Sequence, residues 1–231
     1  MSVINKSLIC VSLIKPEIGE LIETAMKLEN EPIDLVELRL DHLKPFPDEI
    51  AISRVAEIKI PKIATLRPII EGGQSRLKEQ ERIRVLRKII REKIDYVDIE
   101  YSTKNAELLV QEAYGFGVKT ILSRHILNET PPLEKLISYV NQMTILKPDI
   151  VKVATAVKRY EDILSLMQLI NYSTKKNIDA AVTGMGELGK ITRVLNPLMG
   201  SKIAYCSLPG EPAAPGQLDY KKTIMILKEF V

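Results

Sequence analysis

The chain has 231 residues, 45% of them hydrophobic and 27% charged, and its 33 basic and 30 acidic side chains give a formal net charge of +3. That length and mix suit one domain with a sizeable core beneath a solvated surface. The small charge is spread along the chain, which excludes a basic nucleic-acid footprint, and no apolar run nears the roughly 18 residues of a membrane-spanning helix.

In chain order, short β-type runs alternate with longer helical ones. The first run, 8–14, is too short for a secretory core and ends in Lys15-Pro16-Glu17. Two cysteines, Cys10 and Cys206, are too few for a disulfide framework, so a soluble protein of the reducing cytoplasm is expected. A helical segment at 17–28 follows, then a strand at 35–40, a helix at 48–57, a strand at 62–67, a helix at 75–92 and a strand at 96–100. The second half repeats the rhythm: helix 105–114, strand 119–123, helix 133–146, strand 150–155, helix 160–175, strand 178–183, helix 188–198, strand 203–207 and helix 219–230. Strands separated by helices need crossover connections and run parallel. Eight such units without a linker predict a single-domain (β/α)8 TIM barrel over residues 1–231; a doubly wound open sheet would more often stop at five or six strands.

The sixth strand carries the anomaly. Lys152 stands among Ile150, Val151, Val153 and Ala154, the apolar pattern of a strand covered on both faces. Burial disfavours an ammonium, and a neutral amine attacks carbonyls to form a Schiff base. The alternative is a lysine at a strand end that snorkels to water. Residues two apart share a strand face, and one parity collects the polar groups: Glu37, Arg39 and Asp41; Thr65 and Arg67; Asp98 and Glu100; Ser123 and His125; Ile150, Lys152 and Ala154. Leu38, Ala64, Val97 and their like take the other parity and should meet helices, with Arg124 an exception expected beyond its strand. Catalytic groups gather at the C-terminal mouth of such barrels. A layered polar plug is the competing account, yet it does not explain a lysine, a histidine and three arginines together.

His125, one strand before Lys152, is placed to shuttle protons, whereas His42 reads as a structural hydrogen-bonding residue. Neither histidine shows zinc spacing. Glu37, Asp41, Asp98 and Glu100 have the chemistry to hold Mg²⁺, but with Arg39 and Arg67 nearby ion pairing is the expectation. Glu71, before Gly72 and Gly73 at the third strand's exit, is close enough to the mouth to reach His125. Gly184-Met-Gly-Glu-Leu-Gly189 has dinucleotide-fingerprint spacing but arrives at the seventh strand, where a Gly-rich turn is expected to form an anion site extended by Lys190 and Arg193. The Pro- and Gly-rich segment 208–217 is either a lid that excludes water or a stiff connector. Cys10 should face the barrel interior and Cys206 the other side, so no disulfide joins them.

Taken jointly, Glu37-Leu-Arg-Leu-Asp-His42, Thr65-Leu-Arg-Pro with Glu71-Gly-Gly73, Ser123-Arg-His125, Val151-Lys-Val153, Gly189-Lys-Ile-Thr-Arg193 and Ala214-Pro-Gly-Gln217 resemble the type I 3-dehydroquinate dehydratases of the shikimate pathway, nearly end to end. The resemblance implies a homodimeric barrel of the kind class I aldolases share, with no metal or organic cofactor, that converts 3-dehydroquinate to 3-dehydroshikimate. It implies Lys152 as the imine-forming lysine, His125 as general acid/base and Glu71 as its assistant. Arg193 would meet the substrate carboxylate, while Ser12, Glu37, Arg39, Arg67 and Gln217 would hold hydroxyls. Ala213 stands where enterobacterial relatives carry serine in the lid motif, which removes a hydroxyl contact. A class I aldolase acting on sugar phosphates and a non-catalytic anion-binding barrel are the rival readings.

Overall fold

The computed structural model describes residues 7–44, 53–92 and 94–230. Its eight strands are β1 (Leu8–Leu13), β2 (Leu35–Arg39), β3 (Lys62–Thr65), β4 (Tyr96–Glu100), β5 (Lys119–Ile126), β6 (Ile150–Ala156), β7 (Ala180–Met185) and β8 (Ile203–Ser207). Every pairing is parallel and follows chain order, and β1 also pairs with β8, so the sheet curls into a nearly closed barrel rather than an open doubly wound sheet. At the β7/β8 seam the residues ahead of β8 bridge the gap: Lys202 N–H donates to Ala180 O at 2.7 Å, and Val182 N–H donates to Ser201 Oγ at 3.2 Å.

A similar side-chain clamp joins three alternate strand pairs, β1/β2, β3/β4 and β5/β6, at the N-terminal end. Asp34, Asp95 and Asp149 each precede a strand and accept a backbone N–H from the strand before it, Ile9 at 2.8 Å, Lys62 at 3.1 Å and Thr120 at 2.7 Å. The described helices are α1 (Ile18–Lys27), α2 (Glu79–Arg91), α3 (Ala106–Phe116), α4 (Leu133–Thr144), α5 (Tyr160–Lys175), α6 (Thr192–Leu198) and α7 (Tyr220–Lys228). Among the described residues no helix is long and apolar enough to cross a membrane.

Some expected boundaries move for local reasons. Of the helix expected at 48–57, residues 48–52 lie outside the described residues, and Arg54–Glu57 forms a 3₁₀ turn. α2 begins at Glu79 rather than 75, where the Glu81 carboxylate accepts the Lys78 N–H at 3.1 Å. β5 runs on to Ile126, so Arg124 is within the strand, not past it: its guanidinium stacks 3.8 Å from the Tyr139 ring centroid.

The parity reading separates two apolar layers. Val11, Leu38, Ala64, Val97, Leu122 and Val153 face the helices, and burying each large aliphatic side chain is worth roughly 1.5–3 kcal/mol. Cys10, Leu35, Ile63, Ile121, Ile150 and Ile203 fill the barrel floor below the polar residues. Cys10 is thus inside and Cys206 outside, both as free thiols.

Candidate active site

Above the apolar floor the inward parity turns polar, and Lys152 stands at the centre with its side chain 8% exposed. It does not snorkel. Its Nζ lies 3.1 Å from Asp98 Oδ2, 3.5 Å from Glu37 Oε1 and 3.9 Å from the centroid of the Tyr205 ring. Burial alone argues for an isolated amine, but the fold supplies two carboxylates, so the resting geometry is an ion pair. Those carboxylates are themselves engaged. Ser12 Oγ and Thr65 Oγ1 donate to Glu37 at 2.6 and 2.9 Å, while Arg67 Nη2 and Ser123 Oγ donate to Asp98 at 2.8 and 2.5 Å.

The charges alternate outward from this point. Arg67 also reaches Glu100 at 2.8 Å, and Arg82, arriving from α2, closes on the other Glu100 oxygen and on Thr103 Oγ1. Burial works against ionisation of Glu37, yet Lys152 and Arg39 overcome it and hold its carboxyl at about 2. Burial likewise opposes the Asp98 carboxylate, which Arg67 and Lys152 nonetheless keep well below the ordinary range. For Glu100 burial wins over Arg67 and Arg82 and lifts it to about 7. The carboxylates named in the sequence as Mg²⁺ candidates are therefore occupied by cations, with Asp41 held by Arg39 through bonds of 2.9 and 2.8 Å. His42 Nε2 lies 3.3 Å from Arg39 Nη2, a structural contact.

His125 sits beside this cluster. Strand pairing sets Ser123 against Lys152 and His125 against Ala154. With neighbouring strands ~4.8 Å apart and a two-residue step of ~6.7 Å, the Lys152 and His125 Cα atoms are roughly 8 Å apart, within the span of one small ring. Glu71, buried on a short 3₁₀ turn, touches both the His125 backbone N–H (3.0 Å) and Nδ1 (3.1 Å). Ser102 Oγ donates to the second Glu71 oxygen at 2.5 Å. Burial and Arg67 push the imidazole down to about 4 despite Glu71, so it is neutral near pH 7. With Nδ1–H directed at the carboxylate, Nε2 is the basic nitrogen. Burial would raise Glu71, but the hydrogen bonds from His125 and Ser102 hold it below the usual carboxylate range.

Opposite lies Arg193 on α6. Among the described residues its guanidinium finds only carbonyls, Tyr205 O at 3.4 Å and Pro215 O at 3.3 Å, and its Nε has no partner. Burial lowers it to about 10. The loop 208–217 closes over this side: Gly186 N–H donates to Pro215 O, Lys15 pairs with Glu211 at 3.0 Å, and Gln217 joins Ala213 N, Ser12 Oγ and Cys206 O. Gln217 is the latch of this loop.

The Gly-rich turn needs a correction. It leads into a 3₁₀ turn, Leu188–Ile191, not directly into an α-helix; its Gly184 N–H is taken by Thr192 Oγ1 and its Gly186 N–H by Pro215. Gly189 is required because a Cβ there would lie 2.6 Å from the Gly184 carbonyl carbon. Lys190 turns to Glu187, so of the two cations of the expected anion site only Arg193 lines the cavity, beside Met185 and Gly186 of the turn.

That cavity, about 500 Å³, brings together Lys152, His125, Glu71, Ser12, Glu37, Arg39, Arg67, Arg193 and Gln217, the nine residues to which the sequence resemblance gives a role. Sequence reasoning missed Arg82, Ser102 and Tyr205. A buried arginine on an amphipathic helix reads as surface charge, and Ser102 sits in a loop without periodicity. Tyr205 carried a usable signal, since it shares inward parity with Ser207.

Residues 9–230 match the family model described as type I 3-dehydroquinase. The 3-dehydroquinate dehydratase of Methanococcus maripaludis is 35% identical over 224 residues, covering 96% of this chain and 99% of that one. The enzyme of the same name from Methanocaldococcus jannaschii is 36% identical over 214 residues, or 92% and 94% of the two chains. Among solved structures, the 3-dehydroquinate dehydratase of Geobacillus kaustophilus superposes with a TM-score of 0.90 at 28% identity, covering 96% of this chain and 90% of its own.

Proposed function

The chain belongs to the type I 3-dehydroquinase family, its reaction is the dehydration of 3-dehydroquinate in the shikimate pathway, and we propose that it proceeds through an imine on Lys152 with His125 moving the protons. The observation that carries this reading is a lysine Nζ inside the barrel, in one cavity with a neutral imidazole and an arginine that lacks a counter-ion among the described residues. Arg193 takes the substrate carboxylate, which would supply the charge its surroundings omit. Glu37, Arg39, Arg67, Ser12 and Gln217 face the ring hydroxyls, the last two by exchanging their mutual 3.3 Å hydrogen bond for one to substrate.

The substrate ketone condenses with Lys152 and releases water, leaving a protonated imine that acidifies the neighbouring C–H. His125 Nε2 removes that proton to give an enamine, with Glu71 stabilising the imidazolium through Nδ1. The imidazolium then protonates the departing β-hydroxyl, a second water leaves, and hydrolysis of the conjugated imine frees 3-dehydroshikimate. The imine is the electron sink, so the proposed route uses no metal or organic cofactor. General acid/base help of this kind is worth about 10²- to 10⁴-fold. A cytoplasmic homodimer is proposed on the sequence resemblance alone, and light scattering at the working concentration checks the dimer.

Borohydride reduction in the presence of 3-dehydroquinate tests the route. An adduct on Lys152 in the wild type, still formed by His125→Ala while its turnover falls about 10²- to 10⁴-fold, is the expected outcome. Wild-type-like turnover in Lys152→Ala removes the imine mechanism. An adduct formed only with sugar phosphates favours an aldolase, and none at all favours an anion binder.

A further inference from the structure

Resting on the imine reading above, we infer that the face of the Tyr205 ring is a catalytic element that holds the positive charge on the Lys152 nitrogen after two of its three hydrogen-bond donors have been consumed. The argument starts from a balance. A protonated amine and a ketone give a protonated imine and water; the C=N bond forms, the carbonyl C–O bond breaks, and the oxygen leaves with two of the three ammonium hydrogens. The charge on nitrogen is the same before and after. The number of N–H donors falls from three to one.

At rest the nitrogen has Asp98 at 3.1 Å, Glu37 at 3.5 Å and the Tyr205 ring at 3.9 Å. A single remaining N–H cannot serve both carboxylates. The ring needs no donor, because its quadrupole acts on the charge itself, and at 3.9 Å in a buried cavity the interaction is near its strongest. Tyr205 is 7% exposed and lines the substrate cavity from β8. Its Oη makes no hydrogen bond among the described residues, so the contact offered to the reaction is the ring face rather than the hydroxyl. Burial, with Glu37, Cys10 and Asp98 adding to it, keeps the phenol protonated, and the ring acts as a neutral π surface, not as a phenolate.

The effect favours the iminium over the two species in which the nitrogen is uncharged, the carbinolamine before it and the enamine after it, so its reporter is the fraction of enzyme held as imine rather than turnover alone. Full-length protein carrying phenylalanine with zero to three ring fluorines at position 205 changes the quadrupole while leaving the shape nearly constant. Reduced with borohydride under saturating 3-dehydroquinate, Tyr205→Phe, which keeps the ring face, sets the reference trapping rate for the series. The trapping rate should then fall stepwise with each fluorine, by roughly 10- to 30-fold over the series, and Tyr205→Leu should trap least. Circular dichroism confirms that each variant is folded. Equal trapping across the fluorinated series overturns the inference while leaving the imine intact; absence of a Lys152 adduct in the wild type overturns the imine reading and this inference with it.

Discussion

Replacing Arg82 by methionine should destabilise the barrel by an amount that grows with pH. Arg82 is 2% exposed, and its guanidinium binds Glu100, Thr103 and Glu79, so methionine keeps most of the volume but strips Glu100 of one of its two cations. Removing one partner of a buried pair costs about 3–5 kcal/mol if the other stays charged. Glu100 can avoid much of that cost by taking a proton, since burial already lifts it to about 7 with Arg82 in place. A carboxyl whose folded value exceeds its unfolded one stabilises the fold most below the unfolded value, and that stability is lost as pH rises through the folded value. In the wild type this loss runs from about 4.5 to about 7. In Arg82→Met the folded value moves higher, so the loss continues above 7 at up to about 1.4 kcal/mol per pH unit. Urea unfolding should thus show a deficit of about 1 kcal/mol at pH 5.5, the value of lost neutral hydrogen bonds, rising to about 3–5 kcal/mol at pH 9. In Arg82→Met/Glu100→Gln the slope above pH 7 should vanish. A deficit that is equal at both pH values, or a slope that survives in the double variant, refutes the reasoning.

Ser102→Ala removes the 2.5 Å hydrogen bond to Glu71, so that carboxyl should ionise at higher pH and the acid limb of kcat/KM should move upward, with about 1 kcal/mol lost from stability at neutral pH; an unmoved limb would mean that Glu71 does not act through His125. Gly216→Ala places a Cβ 2.3 Å from Gly186 O at a residue with φ near +75°, which should lift the loop 208–217 off the turn it covers. With left-handed backbone costing roughly 1–2 kcal/mol, KM for 3-dehydroquinate should rise about 5- to 30-fold while Tm changes little, and an unchanged KM would separate this loop from the substrate site.

Much of the site was legible because strands obey a strict two-residue alternation. Glu37, Asp98 and Lys152 each share a parity with barrel-floor residues, so once the chain is read as a barrel they must converge, whatever the exact strand ends. The clamps went unread: Asp34, Asp95 and Asp149 each stand directly before an apolar strand, but pattern alone does not reveal which N–H they accept. The Gly184–Gly189 spacing misled because two uses of glycine look alike in sequence. Here it allows backbone to approach backbone, with its N–H groups already taken.

The chain by itself determined the order of elements, the inward parity and the kind of groups at the mouth, because these depend on near neighbours and on burial. Only the tertiary structure decided the company each group keeps: Lys152 between two carboxylates and a ring, Arg193 against backbone carbonyls, and Arg82 reaching in from a helix to hold Glu100. Electrostatic energies vary with distance over a few ångströms, and residues 53, 54 or 115 positions apart in sequence acquire those distances only when the barrel closes.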